Sequence, residues 1–109
     1  MEKIYNKLVR DNIPNIIRNN GGNPFVRILS DKEYKEELEK KLLEEYNEVL
    51  KATSSKDRIE ELADMLEIIK SLAELENNTL EDVIEVANVK KLKRGGFSNK
   101  IYLEKVIEE

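Results

Sequence analysis

The sequence predicts an all-α domain of the four-helix-bundle type, and three observations carry that expectation. Apolar residues recur at helical spacing through most of the chain, and cap signatures stand before the long stretches. Thr53-Ser54-Ser55, Asn77-Asn78 and Gly95-Gly96 interrupt the pattern where helices would stop. At 109 residues the chain is one domain's worth, so residues 1–109 read as a single domain. Apolar and charged residues each make up 39%, which limits burial to a stripe per helix and leaves a charge-laced surface.

Asp11 to Asn20 carries Ile13, Ile16 and Ile17 at helical spacing, with Pro14 tolerable in a first turn and Gly21-Gly22 as a stop. Pro24-Phe25-Val26-Arg27-Ile28-Leu29 is rich in β-branched and aromatic residues and reads as a short strand or an extended connection. Ser30-Asp31-Lys32-Glu33 has the capping-box form, so a long helix is expected from Asp31 to about Ala52. A second long helix follows from about Lys56 to Glu76. Thr79-Leu80-Glu81-Asp82 repeats the cap signature for a further helix ending near Arg94. The tail from Phe97 to Glu109 holds Ile101, Tyr102, Leu103, Val106 and Ile107, and is expected to dock.

Composition narrows the function. A net charge of −4 argues against a dedicated nucleic-acid binder, which gathers Lys and Arg on one face. There is no cysteine and no histidine, so thiol nucleophiles and disulfides are excluded. A metal would meet only oxygen ligands, which favours Mg²⁺, with Mn²⁺ as the alternative ion. No apolar run approaches the ~20 residues that span a bilayer, and Met1-Glu2-Lys3 does not lead into a signal-peptide core. A cytoplasmic protein is expected.

Two acidic clusters stand inside the neighbouring long helices, Glu44-Glu45-Tyr46-Asn47-Glu48 and Glu60-Glu61-Leu62-Ala63-Asp64. Residues three apart share a helix face, so Glu45 with Glu48, and Glu61 with Asp64, can converge on one cation if the helices pack antiparallel. Most helical Glu is solvated surface, yet Leu38, Leu42, Glu45 and Val49 follow steps of four, three and four, so Glu45 continues an apolar stripe. Glu48 lies on its margin. Glu61 shares a face with Met65, Ile68 and Leu72, and Asp64 with Ile68 and Leu75, whereas Glu44, Glu60 and Glu67 fall mainly outside.

Carboxylates on a core margin need cations, because an unpaired buried carboxylate costs several kcal/mol or becomes neutral. A divalent ion is one source. The other is the last helix, where Leu80, Ile84, Ala87, Lys91 and Arg94 form a stripe that turns basic. A salt-bridge layer of the acids against Lys91 and Arg94, with no ligand, is the alternative to a metal site, and spacing does not choose between them. Asn88 lies one turn after Ile84 and either faces the same cavity or is plain surface. Arg94-Gly95-Gly96-Phe97 can bring backbone N–H groups and a guanidinium to a phosphate, or serve as a glycine helix stop. Lys7 and Arg10 add two cations before the first helix. No Gly-rich phosphate loop of the P-loop or dinucleotide type is present.

The pattern Glu-Glu-x-x-Glu, a loop, then Glu-x-x-Asp on the next helix resembles the all-α nucleoside triphosphate pyrophosphohydrolase superfamily, which includes MazG, dimeric dUTPases and phosphoribosyl-ATP pyrophosphohydrolase. Tyr5-Asn6-Lys7-Leu8-Val9-Arg10-Asp11-Asn12-Ile13-Pro14 and Arg94-Gly95-Gly96-Phe97 resemble a MazG-related, house-cleaning branch labelled phosphoribosyl-ATP pyrophosphohydrolase-like. The resemblance implies a MazG-like fold in which Glu45, Glu48, Glu61 and Asp64 hold Mg²⁺ against the phosphates of a nucleotide. It implies hydrolysis of a nucleoside triphosphate to monophosphate and pyrophosphate, with noncanonical nucleotides as substrates. Lys7, Arg10, Asn88, Lys91 and Arg94 would then be substrate-binding, and the protein a homodimer or higher oligomer. Without histidine the water proton goes to a carboxylate or to metal-bound hydroxide, and Glu45 and Glu48 are the candidate catalytic residues. The histidine-biosynthesis enzyme is expected to carry a more basic C-terminal segment, whereas this tail ends Val106-Ile107-Glu108-Glu109, so phosphoribosyl-ATP hydrolysis is the alternative. A non-catalytic helical binding or regulatory protein is the rival from another class.

Overall fold

Serine and threonine side chains open three of the four helices in the computed structural model, which describes residues 1–108. The helices are α1 (Ile13–Asn19), α2 (Asp31–Lys51), α3 (Ser55–Leu75) and α4 (Leu80–Arg94), and there is no strand among the described residues. The chain is all-α, with each helix within a residue or two of its expected bounds.

The ends are set by local chemistry. Ser30 Oγ accepts the Glu33 backbone N–H at 3.2 Å while the Glu33 carboxylate turns back to the Ser30 N–H, completing the capping box. Arg27 adds a 2.9 Å ion pair to the same carboxylate. Thr79 and Asp82 close a second capping box at 3.1 and 2.8 Å, and Ser54 accepts the Asp57 N–H at 3.1 Å at the head of α3. Three residues, Ala52 to Ser54, join α2 to α3. The far end of α3 is a Schellman motif: Asn77 takes the left-handed conformation (φ 57°), its N–H donates to the Glu74 carbonyl, and the Asn78 N–H donates to the Ala73 carbonyl. After α1, the Gly22 N–H donates to the Ile17 carbonyl at 2.9 Å. A Cβ on Gly22 would stand 2.6 Å from Ile17 Cγ2, so only glycine fits that turn.

The 24–29 stretch is an extended connection. Phe25 and Ile28 are almost fully exposed, and without a partner strand the segment has nothing to pair with. The two 21-residue helices joined by a three-residue loop pack antiparallel, and their seam is the main packing contact of the chain. Leu38, 2% exposed, is its anchor. Leu42, Val49, Met65, Ile68 and Leu72 line it half-buried, and Ala73 is buried at the α4 end. α4 meets α3 but not α2, and α1 packs on none of the other helices. The chain is therefore long, 68 × 35 × 24 Å. No helix is long and apolar enough to cross a membrane.

The tail departs from expectation. Phe97 is 98% exposed, and Ile101, Tyr102, Leu103, Val106 and Ile107 are exposed too, so the segment docks on no surface of its own chain. Because α4 leaves the hairpin, the chain that follows Gly95 is carried clear of the α2–α3 seam. Glu109 lies outside the described residues.

The cap of α2 carries a pH signature. The Arg27 guanidinium, with help from the Ser30 backbone and hydroxyl, holds the Glu33 carboxyl down to about 2. A carboxyl lowered in the folded state contributes stability that is complete above its ordinary range and is lost as pH falls toward about 2. An NMR titration of the Glu33 carboxyl should find its midpoint near that value, and Arg27→Ala should raise it. An Arg27→Ala midpoint equal to wild type would contradict the assignment.

Candidate metal site

The antiparallel seam brings the two acidic clusters to the same height. Glu45 on α2, and Glu61 and Asp64 one turn apart on α3, each place a carboxylate oxygen within 4.8 Å of the others. All three are half-buried. The helical register explains the meeting: Glu45 sits in line with Leu42 and Val49, and Glu61 in line with Met65 and Ile68, so packing the apolar stripe forces the acids together.

Three carboxylates this close oppose one another's ionisation. The Glu45 carboxyl is pushed above its usual range, first by burial, then by the negative charges of Asp64 and Glu61, with Lys41 acting the other way. Lys41 lies one turn before Glu45, its side chain only 20% exposed, and it pairs with Glu44 at 3.6 Å. The sequence reading did not single it out, although its spacing of four from Glu45 was the available signal.

The second compensating cation comes from far along the chain. Arg10 Nη2 donates to Asp64 Oδ1 at 2.8 Å, across 54 positions of sequence. Half-buried Leu8, Val9, Ile13 and Ile17 flank it, and the Arg10 carbonyl accepts the Ile13 N–H at 3.1 Å, tying the guanidinium to the start of α1. Exposed ion pairs of this sort contribute about 0–1 kcal/mol. Its interest is positional, since it lays the N-terminal segment beside the acids.

The remaining sequence candidates lie apart from this group. Glu48 is exposed and borders, with Glu61, Asp57, Lys51 and Thr53, a shallow recess of about 210 Å³ next to the three acids. Lys7 points its ammonium at the Tyr5 ring, 5.7 Å from the centroid. Asn88, Lys91 and Arg94 are exposed on α4. Arg94 borders a groove of about 570 Å³ with Lys90, Lys93, Val86 and Val89, and among the described residues no ion pair joins α4 to the acids. The salt-bridge layer weighed from sequence thus does not form through Lys91 and Arg94 within one chain, because α4 contacts α3 alone. Gly95, at φ 82° with its N–H on the Lys91 carbonyl, serves as the helix stop.

The donor set fits a hard divalent cation. Three carboxylates on two packed helices, with neither thiol nor imidazole in the chain, match the oxygen ligation of Mg²⁺ or Mn²⁺. A doubly charged ion would also relieve the crowding that raises Glu45.

No protein-family model and no solved structure matches the chain. A protein of Mycolicibacterium smegmatis (strain ATCC 700084 / mc(2)155), described as uncharacterized, is 49% identical over 51 residues, which cover 47% of this chain and 51% of that protein. The match spans about half the length of each.

The crowding has a measurable sign. A carboxyl raised in the folded state binds its proton more tightly there than when unfolded, so its contribution to stability is present at low pH and lost as pH rises through the raised value. Mg²⁺ competes with that proton, so affinity for Mg²⁺ should climb through a pH window above the usual glutamate range. Asp64→Asn removes the neighbouring charge that acts more strongly on Glu45 and should bring the NMR midpoint of Glu45 down. A midpoint that does not move would refute the crowding.

Proposed function

We propose that this protein is a Mg²⁺-dependent nucleoside triphosphate pyrophosphohydrolase with a house-cleaning role on noncanonical nucleotides. The observation that carries the reading is the convergence of Glu45, Glu61 and Asp64 across the α2–α3 seam, on a chain whose motifs resemble that superfamily. A polyphosphate brings strong negative charge to an acidic surface, so the pairing makes sense only with a cation between them. A bound Mg²⁺ would neutralise phosphate charge and polarise the phosphoryl group.

The chain's own residues divide the remaining work. Glu45, Glu61 and Asp64 would hold the ion. Arg10, 59% exposed and tied by its carbonyl to the start of α1, would turn its guanidinium from Asp64 to a phosphate oxygen, where it bonds strongly. Glu48, outside the triad but bordering the same recess as Glu61, stands free to take the water proton. The water oxygen bonds to the α-phosphorus, the bond to the α–β bridging oxygen breaks, and pyrophosphate leaves with that electron pair. Lys7, Asn88, Lys91 and Arg94 stay in the proposal as phosphate or base contacts on the strength of the resemblance. Phosphoribosyl-ATP differs only as a substrate.

A panel of canonical and damaged triphosphates, and phosphoribosyl-ATP, should with Mg²⁺ yield pyrophosphate from at least one member. Glu45→Gln or Glu61→Gln should abolish it, and Arg10→Ala should weaken substrate use by roughly tenfold, the scale of a lost charge-assisted bond. No pyrophosphate from any nucleotide would sink the reading.

The Arg10–Asp64 pair favours one rival, a non-catalytic helical protein in which an arginine does the cation's work. Calorimetry separates the two. The enzyme should bind Mg²⁺ weakly alone and more tightly with a non-hydrolysable triphosphate analogue, whereas the rival should show neither event.

A further inference from the structure

Three of the ion pairs among the described residues join near neighbours along the chain: Arg27 with Glu33, Lys40 with Glu37, and Lys41 with Glu44. Arg10 with Asp64 alone reaches across the fold, over 54 positions. It is also the one hydrogen bond among the described residues that ties the segment before α1 to the α2–α3 hairpin. The backbone bonds of that segment run only to Ile13 and Ile16, in the first turn of α1. Residues 1–10 form no helix or strand, residues 1–7 are exposed, and Leu8 and Val9 are half-buried. The segment is therefore held beside the hairpin by two apolar side chains and one ion pair. Both partners of that pair are open to solvent and its ions.

We infer that the Arg10 guanidinium is a latch on the acidic site: it competes with a divalent cation for Asp64, and binding of the ion loosens the N-terminal segment. This rests on the reading of Glu45, Glu61 and Asp64 as a Mg²⁺ site. Place and charge both point to competition. Asp64 accepts Nη2 of Arg10 on Oδ1 at 2.8 Å, and the same carboxylate belongs to the three that meet within 4.8 Å, so the guanidinium already stands where a cation is drawn. A doubly charged ion on that carboxylate would draw off the electron density that accepts the guanidinium N–H, and would set like charges side by side. Exposure sets the scale. An ion pair in water shifts an equilibrium by no more than about fivefold, enough to register and little enough for an ion to displace. With the pair open, Leu8 and Val9 still keep the strap beside the hairpin. The freed guanidinium then has a phosphate oxygen as its next anion. Without metal the arginine stays on Asp64, so the ion must arrive before Arg10 can serve a nucleotide.

Calorimetry with Mg²⁺ alone on the full chain should show Arg10→Ala and Arg10→Gln each binding the ion about two- to fivefold more tightly than the wild type. In ¹⁵N relaxation, Mg²⁺ should lower the heteronuclear NOE of residues 4–10 in the wild type. In Arg10→Ala those residues should be mobile already without metal. Tighter metal binding beside weaker substrate use is a pair of opposite signs that simple loss of folding does not produce. Mg²⁺ bound by both variants no more tightly than by the wild type would overturn the latch and leave the metal reading standing, with Arg10 an outer partner that steadies Asp64. No Mg²⁺ binding by the wild type or either variant would overturn both.

Discussion

Like-charge crowding across one helix seam is the constraint around which this molecule is arranged. The apolar stripes of α2 and α3 can pack only by bringing Glu45, Glu61 and Asp64 within 4.8 Å. The hydrophobic gain and the electrostatic cost therefore arise from the same act of packing. Neighbouring cations answer that cost in part: Lys41 from one turn away, and Arg10 from the N-terminal segment. Neither supplies the two positive charges that three carboxylates facing one point invite.

The two flanks of the hairpin follow from this. On one side the seam opens onto acids and the Arg10 strap. On the other, rotated by a residue, Leu43, Tyr46, Leu50, Ile59, Leu62 and Leu66 stand exposed. Segregating charge from apolar surface in this way lets a thin two-helix layer carry a polar site without exposing its core to that polarity.

Much of this was legible in the sequence because much of it is local. Caps at Ser30 and Thr79 and the stops at Asn77 and Gly95 each depend on a few adjacent residues, so the helix bounds could be read almost residue by residue. The choice of Glu45, Glu61 and Asp64 over Glu44, Glu60 and Glu67 came from their place on the helical wheel, which is also local information. Arg10 meeting Asp64 was not legible by period, because 54 residues of intervening chain set that contact. Only the motif resemblance pointed to Arg10. The direction of α4, and with it the placement of Lys91, Arg94 and the tail, depends on a four-residue turn whose consequence is global. Glu48 fell between these cases: the helical wheel sets it on the margin of the stripe, and it lies exposed, outside the triad by one turn.

The three-residue link from Ala52 to Ser54 gives the acidic site a property of its own. Glu45 and Asp64 face each other because nineteen positions separate them along a hairpin with a short return. The loop works as a ruler, and what it measures is chain count rather than side-chain identity. Replacing its residues leaves the measure intact, whereas adding or deleting one turns α3 by about 100° and parts the acids. Length, at that one place, is under tighter constraint than sequence.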